Sequence, residues 1–469
     1  MSEPETLFGV LRHSADAKCV GAIEHAVREA PDRDLCRINV LSFAAKHDLD
    51  EERTIAAFLH AARLGLFELS WNVLCPGCGG VLESGTTLKT LNREEYACGM
   101  CAAGNPPILD EMVEVTFTVS SRVRRIAAHS PDTLPEAEYY RQIFWSSGVD
   151  LPETLGDSLA AFTIDSIELP PGEKAVLSVQ LPNNSFVIVF DPVTHGAQFI
   201  DVKGEPTRER QTLSMVLNKL QTSVGTVELR PGPLRVSLDN QTDRRVLPGL
   251  WIAGDHLHDL LGKRRPFLTA KRLLTNQTFR DIYRADTLDV DQRLKITSLT
   301  FLFTDLKGST ALYERVGDLV AYDLVRHHFH VLYEVVAAEA GAVVKTIGDA
   351  VMATFPTPDR ALAAALRMRE EMARINAEHN NEDLLLKIGI HEGPCLAVSL
   401  NNNQDYFGQT VNMAARVQGL ASTRAIIVTK PVVDDPKAAK ILENSGLHPT
   451  MQHAALRGIG DEMMVYEIP

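Results

Sequence analysis

A strand that ends in a carboxylate and a glycine-bearing turn is the first place in this sequence where residue types and spacing could support chemistry. The apolar run 299–304 ends at Asp305 and Leu306, and a predicted helix opens just beyond, at Gly308, Ser309 and Thr310. Carboxylates are preferred ligands of hard cations, and backbone amides at the start of a helix bind phosphate groups. Taken alone, the motif is more often a helix cap than a metal and phosphate site.

A predicted hairpin supplies a second carboxylate. The segment 343–353 carries Lys345 and has Gly348 and Asp349 at its turn. A Gly-Asp pair at a hairpin turn needs no functional explanation. Together with Asp305, however, Asp349 could complete a site for two metal ions that act on a phosphate group.

A third motif spans residues 405–416. Gly408 marks the entry into a predicted helix. Asn412 and Arg416 lie four positions apart, so both side chains project from one face of that helix. A single motif of this length is weak evidence, whereas three motifs in sequence are far more specific.

In order and spacing, these three blocks resemble the class III nucleotidyl cyclases, in particular the soluble bacterial adenylate cyclases. The resemblance covers about residues 299–468 and implies a ferredoxin-like catalytic domain that makes cyclic AMP and pyrophosphate from ATP. All six positions that this family uses for chemistry hold the adenylate-type residue. A degenerate domain that senses nucleotides or dimerises is the alternative, and six intact positions disfavour it.

The resemblance also implies a role for each position. Asp305, Leu306 and Asp349 would hold two Mg²⁺ or Mn²⁺ ions, and Asn412 and Arg416 would be the catalytic residues that serve the ribose and the α-phosphate. The implied substrate-binding residues are Lys345, Asp405, Gly308, Ser309, Thr310 and Arg457. Many relatives carry a lysine where this chain has Arg457, and an arginine keeps the charge and can bind phosphate oxygens bidentately.

The two base contacts discriminate between nucleotides by their order of donors and acceptors. Adenine offers its N1 acceptor to Lys345 and its N6 donor to Asp405, whereas guanine presents the reverse order and mismatches both charges. Cytosine presents the same order as adenine. Hydrogen bonding therefore favours ATP over GTP and leaves CTP open as a substrate.

The hairpin also predicts how the protein assembles. Lys345 and Asp349 flank one tight turn, yet one must reach the base and the other must reach the metal ions at the opposite end of ATP. The family resemblance implies a head-to-tail homodimer, in which each site combines metal carboxylates from one subunit with base-reading and catalytic residues from the other.

Four cysteines near the N-terminus form two CxxC pairs, Cys75 with Cys78 and Cys98 with Cys101. Two such turns, about twenty residues apart, predict a Zn²⁺ site with four thiolate ligands. Four thiolates fill the coordination sphere and leave no position for water, so one structural Zn²⁺ per chain is expected. Reduced structural thiols are the alternative interpretation.

The charge balance limits the partners. Asp and Glu number 61 against 47 Lys and Arg, which gives a formal net charge of −14. Nucleic acids and anionic membranes need a positive face, so neither is an expected partner. The first residues lack the basic and apolar order of a signal peptide, and no apolar run is long enough to cross a bilayer. Both observations predict a cytoplasmic protein.

The sequence predicts an α+β multidomain protein. Its predicted parts are a helical N-terminal unit (1–73), a zinc-ribbon-like module (74–104), a β-rich regulatory domain (105–262), a helical linker (263–295) and the cyclase domain (296–469). Helices are expected at 135–146 and 211–221 within the β-rich part, and one helix is expected over 267–283.

The first part is either winged-helix-like or a plain helical bundle. A winged helix next to a zinc ribbon would favour a transcription regulator that carries a cyclase. Acidic residues outnumber basic ones between residues 34 and 70, which disfavours contact with DNA. The N-terminal portion also resembles a domain of undetermined role found ahead of soluble bacterial cyclases, so a regulatory region with an unknown signal is expected.

Overall fold

A computed structural model of the chain describes residues 3–218, 225–283, 288, 292–307, 314–378, 384–400, 403–422, 425–455 and 462–469. The chain divides into two compact units. The first contains Met1–Thr86, Thr90–Pro107 and Glu111–Leu268, and the second contains Thr87–Lys89, Ile108–Asp110 and Thr269–Pro469. Within these described ranges, no helix has the length and apolar character needed to span a membrane.

Four helices open the described part of the first unit, within the segment that the sequence predicts to be helical. They are α1 (Glu3–Ser14), α2 (Ala17–Glu29), α3 (Val40–Lys46) and α4 (Glu51–Arg63). The side chains of Asp16, Asn39 and Asp50 accept hydrogen bonds from backbone amides at the starts of α2, α3 and α4. Such caps satisfy amides that have no partner within the helix. The winged-helix interpretation of this segment stays a prediction.

Short strands follow the helices. They are β1 (Phe67–Leu74), β2 (Val81–Gly85), β3 (Tyr96–Cys98), β4 (Ala103–Asn105) and β5 (Val113–Val119). An antiparallel sheet has the order β2-β1-β5, and β3 pairs with β4. Cys98 is the last residue of β3, and Cys101 lies in the turn between β3 and β4.

The rest of the first unit is β-rich. After α5 (Glu136–Tyr139) and α6 (Leu155–Ala160), its strands are β6 (Thr163–Ser166), β7 (Lys174–Leu181), β8 (Ser185–Phe190), β9 (Ala197–Val202), β10 (Gln211–Leu217), β11 (Val227–Leu229), β12 (Gly232–Asn240) and β13 (Gly249–Ile252). They form one sheet in the order β11-β9-β8-β13-β6 and another in the order β10-β12-β7. Helix α7 (Asp255–Gly262) follows.

One predicted helix is a strand. The sequence predicts a helix over 211–221, whereas β10 covers Gln211–Leu217 and pairs in parallel with β12. The prediction is wrong because burial alternates along this segment: Met215 and Leu217 are buried, and Val216 between them is exposed. An alternation of period two is typical of a strand. The helix expected over 135–146 is present as α5 and a π-helical turn at Tyr140–Phe144.

The single helix predicted over 267–283 is two short helices, α8 (Ala270–Leu274) and α9 (Gln277–Ile282). The break falls at Asn276, whose side chain accepts a hydrogen bond from the amide of Phe279 at 3.0 Å and so caps α9. Asparagine favours caps over helix interiors, which explains why the chain does not continue as one helix.

An eight-stranded sheet forms the centre of the second unit. Its strands are β14 (Leu294–Leu306), β15 (Ala342–Ile347), β16 (Ala350–Phe355), β17 (Leu386–Leu400), β18 (Asn403–Phe407), β19 (Ile426–Thr429), β20 (Thr450–Ala455) and β21 (Glu462–Ile468). The order is β15-β16-β14-β17-β19-β21-β20, and β18 pairs with β17. Its helices include α10 (Asp318–Ala338), α11 (Pro358–Glu378), α12 (Gln409–Gly419), α13 (Lys430–Asp434) and α14 (Pro436–Asn444).

The main core of this unit lies between the sheet and helices α10 and α11. Leu302 of β14 and Phe355 of β16 are fully buried there, together with Leu332 of α10 and Met368 of α11. Burial of this apolar surface holds the two strands in register. That register decides where the side chains at the end of β14 and in the β15–β16 turn lie.

Candidate active site

Two aspartates lie together where β14 ends and where β15 turns into β16. Thr304 of β14 pairs with Val351 of β16, so Asp305 lies beside the turn that carries Asp349. Burial raises the pKa of Asp305, and the negative charge of Asp349 raises it further; Lys387, whose Nζ lies 3.9 Å from Asp305 Oδ2, opposes this rise. The predicted hairpin is confirmed. The two carboxylates that the sequence predicts to bind metal are therefore neighbours.

The donor set of this pair fits a hard divalent cation. Asp349 Oδ2 is buried and has no hydrogen-bond partner within the described part of the chain. A buried carboxylate oxygen without a donor is costly unless a cation binds it, and oxygen ligands are the ones that Mg²⁺ and Mn²⁺ prefer. Leu306, also predicted at the metals, ends β14 with a buried apolar side chain. Only its backbone carbonyl could be a ligand.

His328 interacts with Asp349 and lies outside the three sequence motifs. His328 is fully buried on α10, and burial lowers its pKa to about 4, although Asp349 acts in the opposite direction. A neutral imidazole adds no positive charge behind the carboxylates. The sequence does carry a signal for this histidine: it lies at helical spacing from Val325, Val331 and Leu332 on the buried face of α10.

The two residues predicted to read the base contact each other. Lys345 Nζ on β15 lies 2.5 Å from Asp405 Oδ2 on β18. The side chain of Lys345 is 44% exposed, whereas that of Asp405 is 11% exposed. Asp405 Oδ1 accepts a hydrogen bond from the amide of Tyr406 at 2.8 Å, which fixes the carboxylate. A donor and an acceptor are thus held side by side at a partly open surface.

A cavity of about 730 Å³ opens beside this ion pair, and α9 forms part of its wall. Arg280 Nη2 donates to the carbonyls of Gln404 at 2.9 Å and Val344 at 3.4 Å. Gln277 Oε1 accepts from the amide of Val343 at 2.7 Å. The helix that the sequence places in a linker is therefore hydrogen-bonded to the two strands that carry the ion pair.

Asn412 and Arg416 lie on α12, on the side opposite its packed residues Met413, Ala414 and Val417. Asn412 is exposed and Arg416 is half-buried. Across the described residues, neither side chain has a hydrogen bond or an ion pair, so the chain by itself does not join them to the carboxylates. The predicted phosphate-binding residues Gly308, Ser309, Thr310 and Arg457 lie outside the described residues.

The four clustered cysteines of the first unit converge. The Sγ atoms of Cys75, Cys78, Cys98 and Cys101 all lie within 4.8 Å of one another. Hydrogen bonds from the other three thiols, led by that of Cys101, lower the pKa of Cys75. A Cβ atom at Gly77 would lie 3.1 Å from Cys101 Sγ, so the glycine lets the turn approach the sulfurs closely. Four sulfur donors at this spacing fit one tetrahedral Zn²⁺ ion.

Comparison with known proteins bears on the second unit. Residues 292–466 match the adenylate and guanylate cyclase catalytic domain. An adenylate cyclase of Mycosarcoma maydis is 29% identical over 168 residues, 32% of this chain and 7% of that protein. Adenylate cyclase 2 of Rhizobium meliloti is 34% identical over 135 residues, 26% of this chain and 37% of that protein. The match thus spans well under half the length of these relatives.

Among solved structures, the adenylyl cyclase CyaB from P. aeruginosa is similar over 38% of this chain and 96% of that chain, with 17% identity and a TM-score of 0.34. The family match and the motifs together define residues 292–466 as a class III cyclase catalytic domain. The chain as a whole belongs to a family of unknown function, DUF5939, whose model matches residues 1–281.

Proposed function

We propose that this chain is an adenylate cyclase, which converts ATP to 3′,5′-cyclic AMP and pyrophosphate. The observation that carries the proposal is the ion pair of Lys345 and Asp405 beside the 730 Å³ cavity. An ammonium has three donors and a carboxylate about four acceptor positions, so the pair retains capacity for adenine N1 and N6. The names of the two relatives above support the same substrate.

The order of donor and acceptor sets the specificity. Guanine would present its N1 donor to Lys345 and its O6 acceptor to Asp405, which leaves both charged groups without a matching partner. A site built to hydrogen-bond one pattern rejects the opposite pattern strongly, because buried polar groups are then left unpaired. Cytosine matches the same order, so exclusion of CTP depends on the size of the pocket.

Asp305 and Asp349 are the residues that would hold two Mg²⁺ or Mn²⁺ ions. When bound, such ions lower the pKa of the attacking 3′-hydroxyl and neutralise charge on the triphosphate. Arg416 contributes a permanent positive charge, which stabilises the charge that grows on the α-phosphoryl oxygens in the transition state. Asn412, one helical turn earlier on α12, is positioned to orient the ribose.

The complete site is proposed to form between two copies of the chain. Large apolar side chains lie exposed beside the site: Ile347 precedes the metal-binding turn and is 54% exposed, and Phe407 follows Asp405 by two residues and is 67% exposed. Exposed apolar groups next to a polar site favour an interface. A head-to-tail homodimer would cover them and bring Arg416 of one subunit to Asp305 of the other.

The N-terminal region is proposed to regulate this site. Helix α9 is hydrogen-bonded through Arg280 and Gln277 to the strands that carry the base-reading pair. A displacement of α9 would change the backbone around that pair, and thereby the affinity for ATP.

The cysteine cluster is proposed to hold one structural Zn²⁺. Metal analysis of protein purified without chelators should find one zinc per chain, and Cys75→Ser should lose the metal and lower the thermal midpoint. Structural zinc sites contribute folding free energy directly, which is the reason for the expected destabilisation. Purified protein that contains no zinc would contradict this proposal.

The test of the main proposal is turnover by the purified full-length chain. ATP, GTP and CTP are supplied separately with Mg²⁺ or Mn²⁺, and cyclic products are identified by mass spectrometry. The expected result is cyclic AMP as the main product, absent in Asp305→Ala prepared in parallel. Cyclic GMP as the main product, or no cyclic nucleotide from any of the three, would contradict the proposal.

A further inference from the structure

A second large cavity lies within the first unit. Its volume is about 560 Å³, and its walls come from the end of α2, the turn Asp32–Leu35, helix α3 and the segment 141–153. Cavities of this size are typical of sites for small molecules. None of its lining residues belongs to the motifs discussed above, so the cyclase chemistry does not account for it.

The charge of this cavity is opposite in sign to that of the chain. Five Lys or Arg side chains line it against four Asp or Glu side chains, and two histidines are also present. The whole chain has 47 Lys and Arg against 61 Asp and Glu. A concave surface with an excess of basic groups attracts anions, because its low-dielectric walls focus the field.

Most of the cations around the cavity are neutralised by carboxylates. The ion pairs are Arg33–Glu153 at 2.6 Å, Arg265–Asp150 at 3.3 Å, Lys46–Asp34 at 3.5 Å and Arg141–Glu138 at 3.6 Å. Arg37 is different. It forms no ion pair with any described residue, and its Nη1 donates to the carbonyl of Ile143. Its Nε and Nη2 have no hydrogen-bond partner in the same set of residues.

Buried Glu114 is influenced by Arg37 but does not pair with it. Burial raises the pKa of Glu114, and the positive charge of Arg37 opposes that rise. The Glu114 oxygens instead accept hydrogen bonds from the amide and hydroxyl of Ser147, at 2.9 and 2.6 Å, and from Asn72 Nδ2 at 3.1 Å. The guanidinium of Arg37 therefore keeps its donor capacity for another group.

The backbone of Arg37 is strained. Its φ is +45°, in the left-handed region that a residue with a Cβ atom rarely adopts and that glycine adopts readily. The Arg37 amide donates to Thr118 Oγ1 at 3.0 Å, and the next amide, of Ile38, donates to the carbonyl of Phe117 at 2.8 Å. These bonds hold the strained conformation. The strain falls on a residue that lines the cavity and whose guanidinium has unused donors, and this combination favours a role for the side chain.

We propose that this cavity binds a small organic monocarboxylate, whose carboxylate pairs with the Arg37 guanidinium and whose apolar part contacts Ile38, Phe43 and Leu151. A guanidinium matches a carboxylate in a bidentate geometry. One unpaired cation balances one negative charge, whereas a dianionic phosphate would leave excess negative charge among the four acidic residues. The domain of unknown function would then contain a receptor site for a carboxylate metabolite.

Calorimetric titration of the full-length chain tests this site. The probes are hexanoate and benzoate, with hexanamide and benzamide as neutral analogues and inorganic phosphate as the alternative anion. At least one carboxylate should bind, and its amide and phosphate should not. Arg37→Gln should weaken carboxylate binding by about tenfold to a hundredfold, because a charge-assisted hydrogen-bonded pair is lost. Arg63→Gln, an exposed arginine outside the cavity, is the matched control and should bind normally.

Arg37→Gly is a second variant, which keeps the test valid if Arg37→Gln does not fold. Glycine relaxes the positive φ, so this variant should keep the wild-type thermal midpoint and still lose binding. The proposal is overturned if neither carboxylate binds, if the amides or phosphate bind as well as the carboxylates, or if both Arg37 variants keep wild-type affinity. None of these outcomes depends on cyclase activity, since only binding is measured.

Discussion

The second unit holds two charged pairs of opposite design. Lys345 and Asp405 carry opposite charges 2.5 Å apart and satisfy each other before any ligand arrives. Asp305 and Asp349 carry like charges, the pKa of Asp305 is raised by burial and by its neighbour, and Asp349 Oδ2 has no donor within the described chain. One pair is satisfied within the protein alone, whereas the other keeps an oxygen that a bound cation would satisfy.

This difference matches the charge of what each pair is proposed to bind. A nucleobase is neutral. The Lys345–Asp405 pair has no net charge, so it can replace part of its internal hydrogen bonding with hydrogen bonds to the base, and neither charge has to be buried alone. Metal ions are strongly positive, so a site for them keeps negative charge uncompensated at a cost in stability. Removing a carboxylate of the metal pair should therefore lower activity and leave stability unchanged or higher. Substitution of the base-reading pair should lower both.

The largest effect is expected at the metal pair. Asp349→Ala should lower turnover by at least about a thousandfold, because a shared metal ligand is lost. Its thermal midpoint in metal-free buffer should stay unchanged or rise, since a buried oxygen without a partner is removed. Turnover and thermal unfolding are measured together, with exposed Glu370→Ala on α11 as the control. A clearly lower thermal midpoint in Asp349→Ala would contradict the inference that the metal pair costs stability.

The next effect concerns the proposed meeting of the metal pair of one chain with Arg416 of a second chain. Asp305→Ala and Arg416→Ala should each be nearly inactive as homodimers, yet a mixture should recover up to about a quarter of wild-type activity per total protein. Random pairing makes half of the dimers mixed, and each mixed dimer has one intact site of two. Recovery should fall on dilution if the dimer is weak. Lack of recovery, with mixed dimers shown to form, would mean that each site is built within one chain.

A smaller and more selective effect is expected at the base pair. Lys345→Glu combined with Asp405→Cys should reduce kcat/KM for ATP by about a hundredfold and admit some GTP, because the order of donor and acceptor is reversed. The matched control is Lys430→Glu with Asp434→Cys, an exposed ion pair with the same Nζ–Oδ2 distance of 2.5 Å. Unchanged ATP kinetics in the first double variant would show that these residues do not read the base.

The sequence predicts the elements of the second unit well where the signal is local. The turn residues Gly348 and Asp349 themselves predict the turn, and a mostly apolar, β-prone run predicts the strand that ends at Asp305. That Asp305 and Asp349 lie close together is implied by the family resemblance, since both are assigned to the same metal ions. The sequence predicts a helix over 211–221, where residues 211–217 form a strand, because the apolar residues are few and their alternation is visible only once burial is known.

What the sequence does not predict depends on contacts between distant residues. Arg280 binds the carbonyls of Val344 and Gln404, which are 64 and 124 positions away, and a backbone carbonyl leaves no mark on residue type. The positive φ of Arg37 is equally hidden, because no glycine or asparagine marks the position. Local patterns report helices, strands and turns, whereas docking of a helix or the lining of a cavity needs the folded chain.

The smallest effect is a pH response that isolates the like-charge repulsion itself. Because the pKa of Asp305 is raised in the folded chain, the folded state holds this proton more tightly than the unfolded state does. The stability from this group is therefore complete below the ordinary pKa of an aspartate, and it is lost as pH rises through the higher folded value. Carbon-detected NMR titration of the Asp305 carboxyl in metal-free protein measures that folded value directly.

Asp349→Asn removes one of the two causes, so the pKa of Asp305 should fall while the contribution of burial remains. Lys387→Met removes the opposing positive charge, so the pKa should rise. Opposite shifts in these two variants are the signature of a site held ready for a cation, and Mg²⁺ added to the wild type should lower the pKa by the same electrostatic logic. If neither substitution moves the titration, the two aspartates do not sense each other, and the contrast with Lys345 and Asp405 has no electrostatic basis.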